Sequence, residues 1–114
     1  STPPEVEYFD IVIDTVDVSN GSQSIFVNFS ISDDMSGFGN GSINCSSPNN
    51  IDFTNQVNFS GSGGLYEEFV DIEISIPSEV EPGIWFCYFN WIIFKIFYFF
   101  KFNIKNRPVY KCQF

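Results

Sequence analysis

Ser24-Ile25-Phe26-Val27-Asn28-Phe29-Ser30-Ile31-Ser32 alternates with a period of two. Successive side chains of an extended chain point to opposite faces, so Ile25, Val27, Phe29 and Ile31 share one face. Ser24, Asn28, Ser30 and Ser32 take the other, and the spacing predicts a half-buried strand. Asn20-Gly21-Ser22 before it and Ser32-Asp33-Asp34-Met35-Ser36-Gly37 after it have the composition of turns and bound it at both ends.

The same beat recurs along the chain. Phe9, Ile11 and Ile13 alternate with Asp10, Val12 and Asp14, and Val16 and Val18 continue the pattern, which predicts one strand over Glu7 to Ser19. Phe38 to Ser46 places Gly39, Gly41, Ile43 and Cys45 on one side. Ile51 to Phe53 reads as a short edge strand, and Gln56 to Ser60 alternates around Val57 and Phe59. In Phe69 to Ile76 the expected inward set is Val70, Ile72, Ile74 and Ile76, with Asp71, Glu73 and Ser75 outward. Pro77, which has no N–H to donate, ends that strand. After the Pro82-Gly83 turn, Ile84 to Trp91 is densely apolar, with Trp85, Cys87, Phe89 and Trp91 at alternate positions. It reads as a central strand covered on both faces, with Trp85 in the core. No capped 3.6-residue repeat precedes Trp91, so the fold class is all-β, a two-sheet sandwich.

Composition narrows the function. One domain is expected from 114 residues. The net charge is −9 and no Lys or Arg precedes Lys95, which excludes nucleic-acid binding because affinity for phosphates comes mainly from basic side chains. The chain has no His, which excludes Ser-His-Asp and Cys-His catalysis and His-ligated zinc. Glu67-Glu68 flanks a Gly-rich turn, and Asp71 and Glu73 share an outward strand face, so neither forms a carboxylate pair of glycosidase type. A non-enzymatic chain is expected. Calcium is the one cofactor with a candidate ligand set: Asp33 and Asp34, with Asp14 or Asp17, would supply hard oxygens if they met at one end of the sandwich.

Five N-x-S/T tripeptides begin at Asn20, Asn28, Asn40, Asn44 and Asn58, where the composition would give roughly two. They are candidate glycosylation sites and point to an extracellular or cell-surface location. Cys45, Cys87 and Cys112 make an odd count. Cys45 and Cys87 fall on inward positions of strands that would neighbour one another, and are read first as packed thiols, with a bridge between them as the alternative.

All fourteen acidic residues lie between Glu5 and Glu81 and all five basic ones between Lys95 and Lys111. The break divides the chain into a linker (1–5), opened by the extended Ser1-Thr2-Pro3-Pro4 that suits a tie to a preceding neighbour, a module (6–91) and an aromatic, basic tail (92–114). Every residue from Ile92 to Asn106 is Phe, Ile, Lys, Asn or Tyr, types that A/T-only codons can specify. Three readings of the tail stand side by side. It is translated A/T-rich non-coding DNA; or Ile84 to Phe100, followed by Lys101, Lys105, Arg107 and Lys111, is a membrane anchor, although Asn90 and Lys95 fall inside it. In the third, Phe94 to Asn103 is a last strand with Tyr98, Phe100 and Phe102 on one face and Phe97 and Phe99 on an exposed edge.

Val16 to Gln23, Ser32 to Gly37, Ser47-Pro48, and Ile76-Pro77 through Glu81-Pro82-Gly83-Ile84-Trp85 together resemble bacterial-type immunoglobulin-like tandem repeats of large secreted and cell-surface proteins. The resemblance covers Pro4 to Trp91. It implies a sandwich of about seven antiparallel strands acting as an extracellular spacer or adhesion module, beside neighbouring repeats or against protein or glycan at a cell surface. Such repeats usually close with an Asp-x-x-Gly-Asn turn and a polar strand, where this chain has Ile92-Ile93-Phe94-Lys95-Ile96, so its last strand is atypical. A carbohydrate-binding module of a polysaccharide-active enzyme, with Trp91 as a stacking platform, is the alternative, and a membrane-anchored ectodomain another.

Overall fold

A computed structural model describes residues 5–32, 40–61, 65–91 and 98–107, Trp91 by its main chain. Eight strands are described: β1 (Glu5–Ile11), β2 (Thr15–Asp17), β3 (Gln23–Ser32), β4 (Asn40–Ser46), β5 (Val57–Ser60), β6 (Tyr66–Ile76), β7 (Gly83–Trp91) and β8 (Phe99–Lys105). They form two sheets, β1-β3-β6 and β2-β8-β7-β4-β5. The β2–β8 pair is parallel and the other pairs are antiparallel.

The expected strand over Glu7 to Ser19 is two strands in different sheets, which raises the count from about seven to eight. Val12 N donates to Phe26 O across the first sheet, whereas Asp14 O accepts from Asn103 N of the second, so the crossing is made within three residues. Val12 and Ile13 are exposed at the crossing, so Ile13 is not inward as expected, while Val18 is fully buried beyond it. Across this crossing the core-packed positions change from odd, Phe9 and Ile11, to even, Val16 and Val18, so the two-residue period is broken where the chain changes sheet.

The core lies between the inner faces. Ile25, Val27, Phe29 and Ile31 of β3 are all buried, as their spacing predicts. They meet Ile43 and Cys45 of β4, Phe59 of β5, Trp85, Cys87 and Phe89 of β7, and Phe102 and Ile104 of β8. The Phe29 ring centre lies 4.9 Å from those of Phe59, Phe69 and Phe89, so one aromatic side chain ties β3 to three other strands.

Three local expectations are corrected. In β6, Ile74 and Ile76 are buried, but Val70 is 64% exposed and Phe69 points inward in its place. Val27 pairs with Ile72 and Phe29 with Phe69, so Val70 and Asp71 together oppose Asn28. This is a β-bulge, with Asp71 at a φ of 55° and its N–H donating to Asn28 Oδ1 at 2.8 Å. The extra residue shifts the alternation by one. β7 is central, as expected, yet only one of its faces is covered, since Ile84, Phe86 and Tyr88 are exposed. Ile51 to Phe53 makes no strand; a single bridge joins Phe53 to Ser46.

Part of the tail completes the second sheet. β8 pairs with β7 from Gly83↔Ile104 to Tyr88↔Phe99 and buries Phe102 and Ile104, with Lys101 and Lys105 exposed. β2 lies along its other side only from Asn103 to Lys105, and Phe99, outside that pairing, is exposed. Residues 92–97 and 108–114, including Phe97 and Cys112, lie outside the described residues. Among the described residues no helix is long and apolar enough to cross a membrane.

Candidate functional site

At one pole of the sandwich the β4–β5 and β6–β7 connections are locked together by polar groups. Glu81 N donates to Asp52 Oδ2 at 2.6 Å. The Glu81 carboxylate in turn accepts from Asn49 N at 3.0 Å and from Asn49 Nδ2. Ser47 Oγ accepts from Asp52 N at 3.0 Å, and Trp85 Nε1 donates to Glu81 O at 2.8 Å. Gly83, at a φ of +119°, packs on Pro48, whose Cγ would lie 2.9 Å from a Cβ there. A side chain at Gly83 would therefore meet both an unfavourable backbone conformation and a steric block. Ser47-Pro48 and Glu81-Pro82-Gly83 are far apart in sequence, and their shared purpose is this clamp.

The same pole holds Asp17. Its carboxylate accepts from Ser19 N at 2.9 Å and from Ser19 Oγ, while Arg107 N donates to Ser19 Oγ at 2.7 Å. These Ser19 bonds, helped by the charges of Arg107 and Lys105, hold the Asp17 carboxyl below its ordinary 3.8. The Ser47 hydroxyl and then the Asn49 amide hold Glu81 below its ordinary 4.5. A carboxyl whose folded-state pKa is depressed stabilises the fold fully above its unfolded pKa and loses that contribution as pH falls through the folded value. Asp17 and Glu81 therefore support the fold at neutral pH and weaken it under acid. Urea midpoints taken at about pH 5 and about pH 3 are expected to fall more for the parent than for the double variant Asp17→Asn, Glu81→Gln. Equal falls would show that neither carboxyl is linked to folding.

Of the expected calcium ligands, Asp14 and Asp17 are among the described residues, Asp17 as the last residue of β2. Asp14 is near Asn103, accepting through its main-chain oxygen. Asp33 and Asp34 lie outside the described residues, and among those described no group of three or more acidic or Cys side chains is placed to hold a metal.

Cys45 and Cys87 stand directly opposite in the β4–β7 register with Cα atoms 4.0 Å apart, and they form a disulfide. The reading of packed thiols is thereby replaced by its alternative, because antiparallel register, which spacing alone does not reveal, puts the two sulfurs in contact.

The outer face of β4, β5, β7 and β8 carries both polar and exposed aromatic side chains. The pairings set Asn58, Ser42 and Asn90 side by side, then Asn44, Tyr88 and Phe99, then Ser46, Phe86 and Lys101. Ser42, although outward, is buried beneath its neighbours, and Asn44 Nδ2 donates to its Oγ at 3.4 Å. Three of the five candidate glycosylation sites, Asn40, Asn44 and Asn58, lie on these strands. Asn20 is exposed in the β2–β3 turn, and Asn28, on the opposite sheet, is engaged in the β6 bulge. Tyr88 and Asn90 are not singled out by the sequence reading, because the apolar run of β7 reads as wholly interior. The polar Asn90 at an outward position was the available sign of a solvent-facing side. Trp85 is fully buried and, as expected, a core residue; the side chain of Trp91 lies outside the described residues.

Protein-family models, curated proteins and solved structures give no match to this chain.

Proposed function

We propose that this chain is a non-catalytic, extracellular immunoglobulin-like module that serves as a spacer or adhesion unit in a multidomain surface or secreted protein. The observation that carries the proposal is the position of the two ends of the fold. Glu5 pairs with Ser32 at one pole, whereas Lys105 pairs with Asp17 at the other, so flanking domains would be held apart along the sandwich axis.

The strand order supports the immunoglobulin-like part of the reading. Taking β3 and β6 as strands B and E, and β4, β5, β7 and β8 as C, C′, F and G, the two sheets follow the layout of a sandwich whose first strand is split between them. Two features depart from the antibody pattern. The disulfide joins β4 to β7 within one sheet rather than bridging the sheets, and the buried Trp85 is on β7 rather than on β4. A buried disulfide suits an oxidising compartment.

Single-molecule stretching from the two termini tests the spacer role. Tension from opposite poles loads the parallel β2–β8 pair in shear, so a resolved unfolding peak is expected. Because the disulfide encloses a sequence separation of 42, the oxidised chain should release ~15 nm less contour than the reduced one, at ~3.6 Å per residue. Extension of the oxidised chain without a resolved force peak would overturn the reading.

A further inference from the structure

The outer face of the second sheet carries a cleft of about 270 Å³ lined by Asn40, Ser42, Gln56, Asn58, Ser60 and Asn90, with Gly41 and Phe59 also contributing to its wall. Its polar side chains are amides and hydroxyls, and none of the lining residues is charged. Such a lining gives no counter-charge to a phosphate, a carboxylate or a metal ion. It matches a neutral ligand that offers many donors and acceptors at close intervals.

Next to the cleft on the same face are exposed aromatic rings. Tyr88 precedes Asn90 by two residues on β7 and is 45% exposed, with Phe99 opposite it at 65% and Phe86 at 56%. Strands about 4.8 Å apart and same-face residues about 6.8 Å apart make the three rows, which span four strands, a patch roughly 14 by 14 Å. An amide row beside flat apolar rings fits a pyranose, whose hydroxyls radiate from a ring with an apolar C–H face. The geometry points to a binding site for a neutral oligosaccharide, with Asn58 and Asn90 taking hydroxyls and Tyr88 stacking on a sugar ring. This deepens the carbohydrate-binding alternative and rests on the sandwich fold rather than on the spacer role, whose stretching test is independent of it.

Asn40 and Asn58 are themselves candidate glycosylation sites lining the cleft, so the chain should be produced in a host without N-glycosylation. Native affinity electrophoresis through gels containing a β-glucan, a mannan or a galactan is the assay, with anionic polygalacturonate as the control. Retardation is expected in at least one neutral gel and not in the control. Tyr88→Ala and Asn90→Ala should each weaken it by about tenfold, while Phe26→Ala on the other sheet leaves it unchanged. Thermal melts of the same variants separate lost binding from lost folding. If Tyr88→Ala does not fold, amide shifts of the parent chain on adding a neutral oligosaccharide take its place, and should centre on residues 42, 58, 88 and 90.

Absence of retardation in every neutral gel, or equal retardation of parent and variants, would overturn the site. So would sedimentation showing a dimer that Tyr88→Ala dissolves while no neutral gel retards the parent, since the patch would then belong to a second copy of the chain.

Discussion

Trp85→Ala is expected to cost about 3–5 kcal/mol, the range for deleting a fully buried large aromatic side chain. Trp85 is the largest of the fully buried side chains described, and its ring stacks on Phe102 with centres 6.0 Å apart. Truncation leaves a cavity between the sheets and removes the indole donor that Glu81 O accepts at 2.8 Å. The clamp between the β4–β5 and β6–β7 connections would lose its anchor in the core at the same time. With total stabilities of about 5–15 kcal/mol for domains of this kind, one such loss takes a large share. Trp85→Phe separates the two effects: it retains an aromatic filling and removes the N–H, so a smaller cost of about 1–3 kcal/mol is expected. Urea denaturation measures both. A cost below about 1 kcal/mol for Trp85→Ala would mean that the site collapses around the gap, contrary to the packing described.

Removing the disulfide is expected to have an effect of the same order. A bridge spanning 42 residues reduces the conformational freedom of the unfolded chain by about 4 kcal/mol in the loop-entropy account. For a domain of about a hundred residues this corresponds to a fall in melting temperature of about 15–30 °C. Cys45→Ala with Cys87→Ala, or reduction of the parent, should both show it by calorimetry. Thiol labelling of the unfolded, unreduced parent should find Cys112 alone. Three labelled thiols, or a melting temperature indifferent to reductant, would contradict the bond.

The pairing of Cys45 with Cys87 also marks the boundary of what periodicity reveals. Both were legible as inward residues, since each follows the alternation of its strand. Whether two inward residues face one another depends on register, and register is set by which residues of two distant strands exchange hydrogen bonds. The candidate site had the same limit. Asn40, Asn44 and Asn58 were visible as tripeptides, but their gathering on one face with Asn90 and Tyr88 required β4 to lie between β5 and β7. The apolar composition of β7 concealed this face, because exposed Ile84, Phe86 and Tyr88 look like core when only composition is read.

By itself the sequence determined the all-β class, most turns, the inward faces of β3, β4 and β5, and the burial of Trp85. Each follows from the two-residue period of the extended backbone and from the conformational preferences of Gly, Asn and Pro, which act within a few residues. The tertiary structure alone decided that Glu7 to Ser19 divides between two sheets, that Asp71 shifts β6 by one position, that Cys45 meets Cys87, and that residues 99–105 fill the place between β2 and β7. Those outcomes depend on hydrogen bonds and packing between segments far apart in the chain, as in the Ser19–Arg107 contact, which spans 88 positions. No local period carries information over that distance.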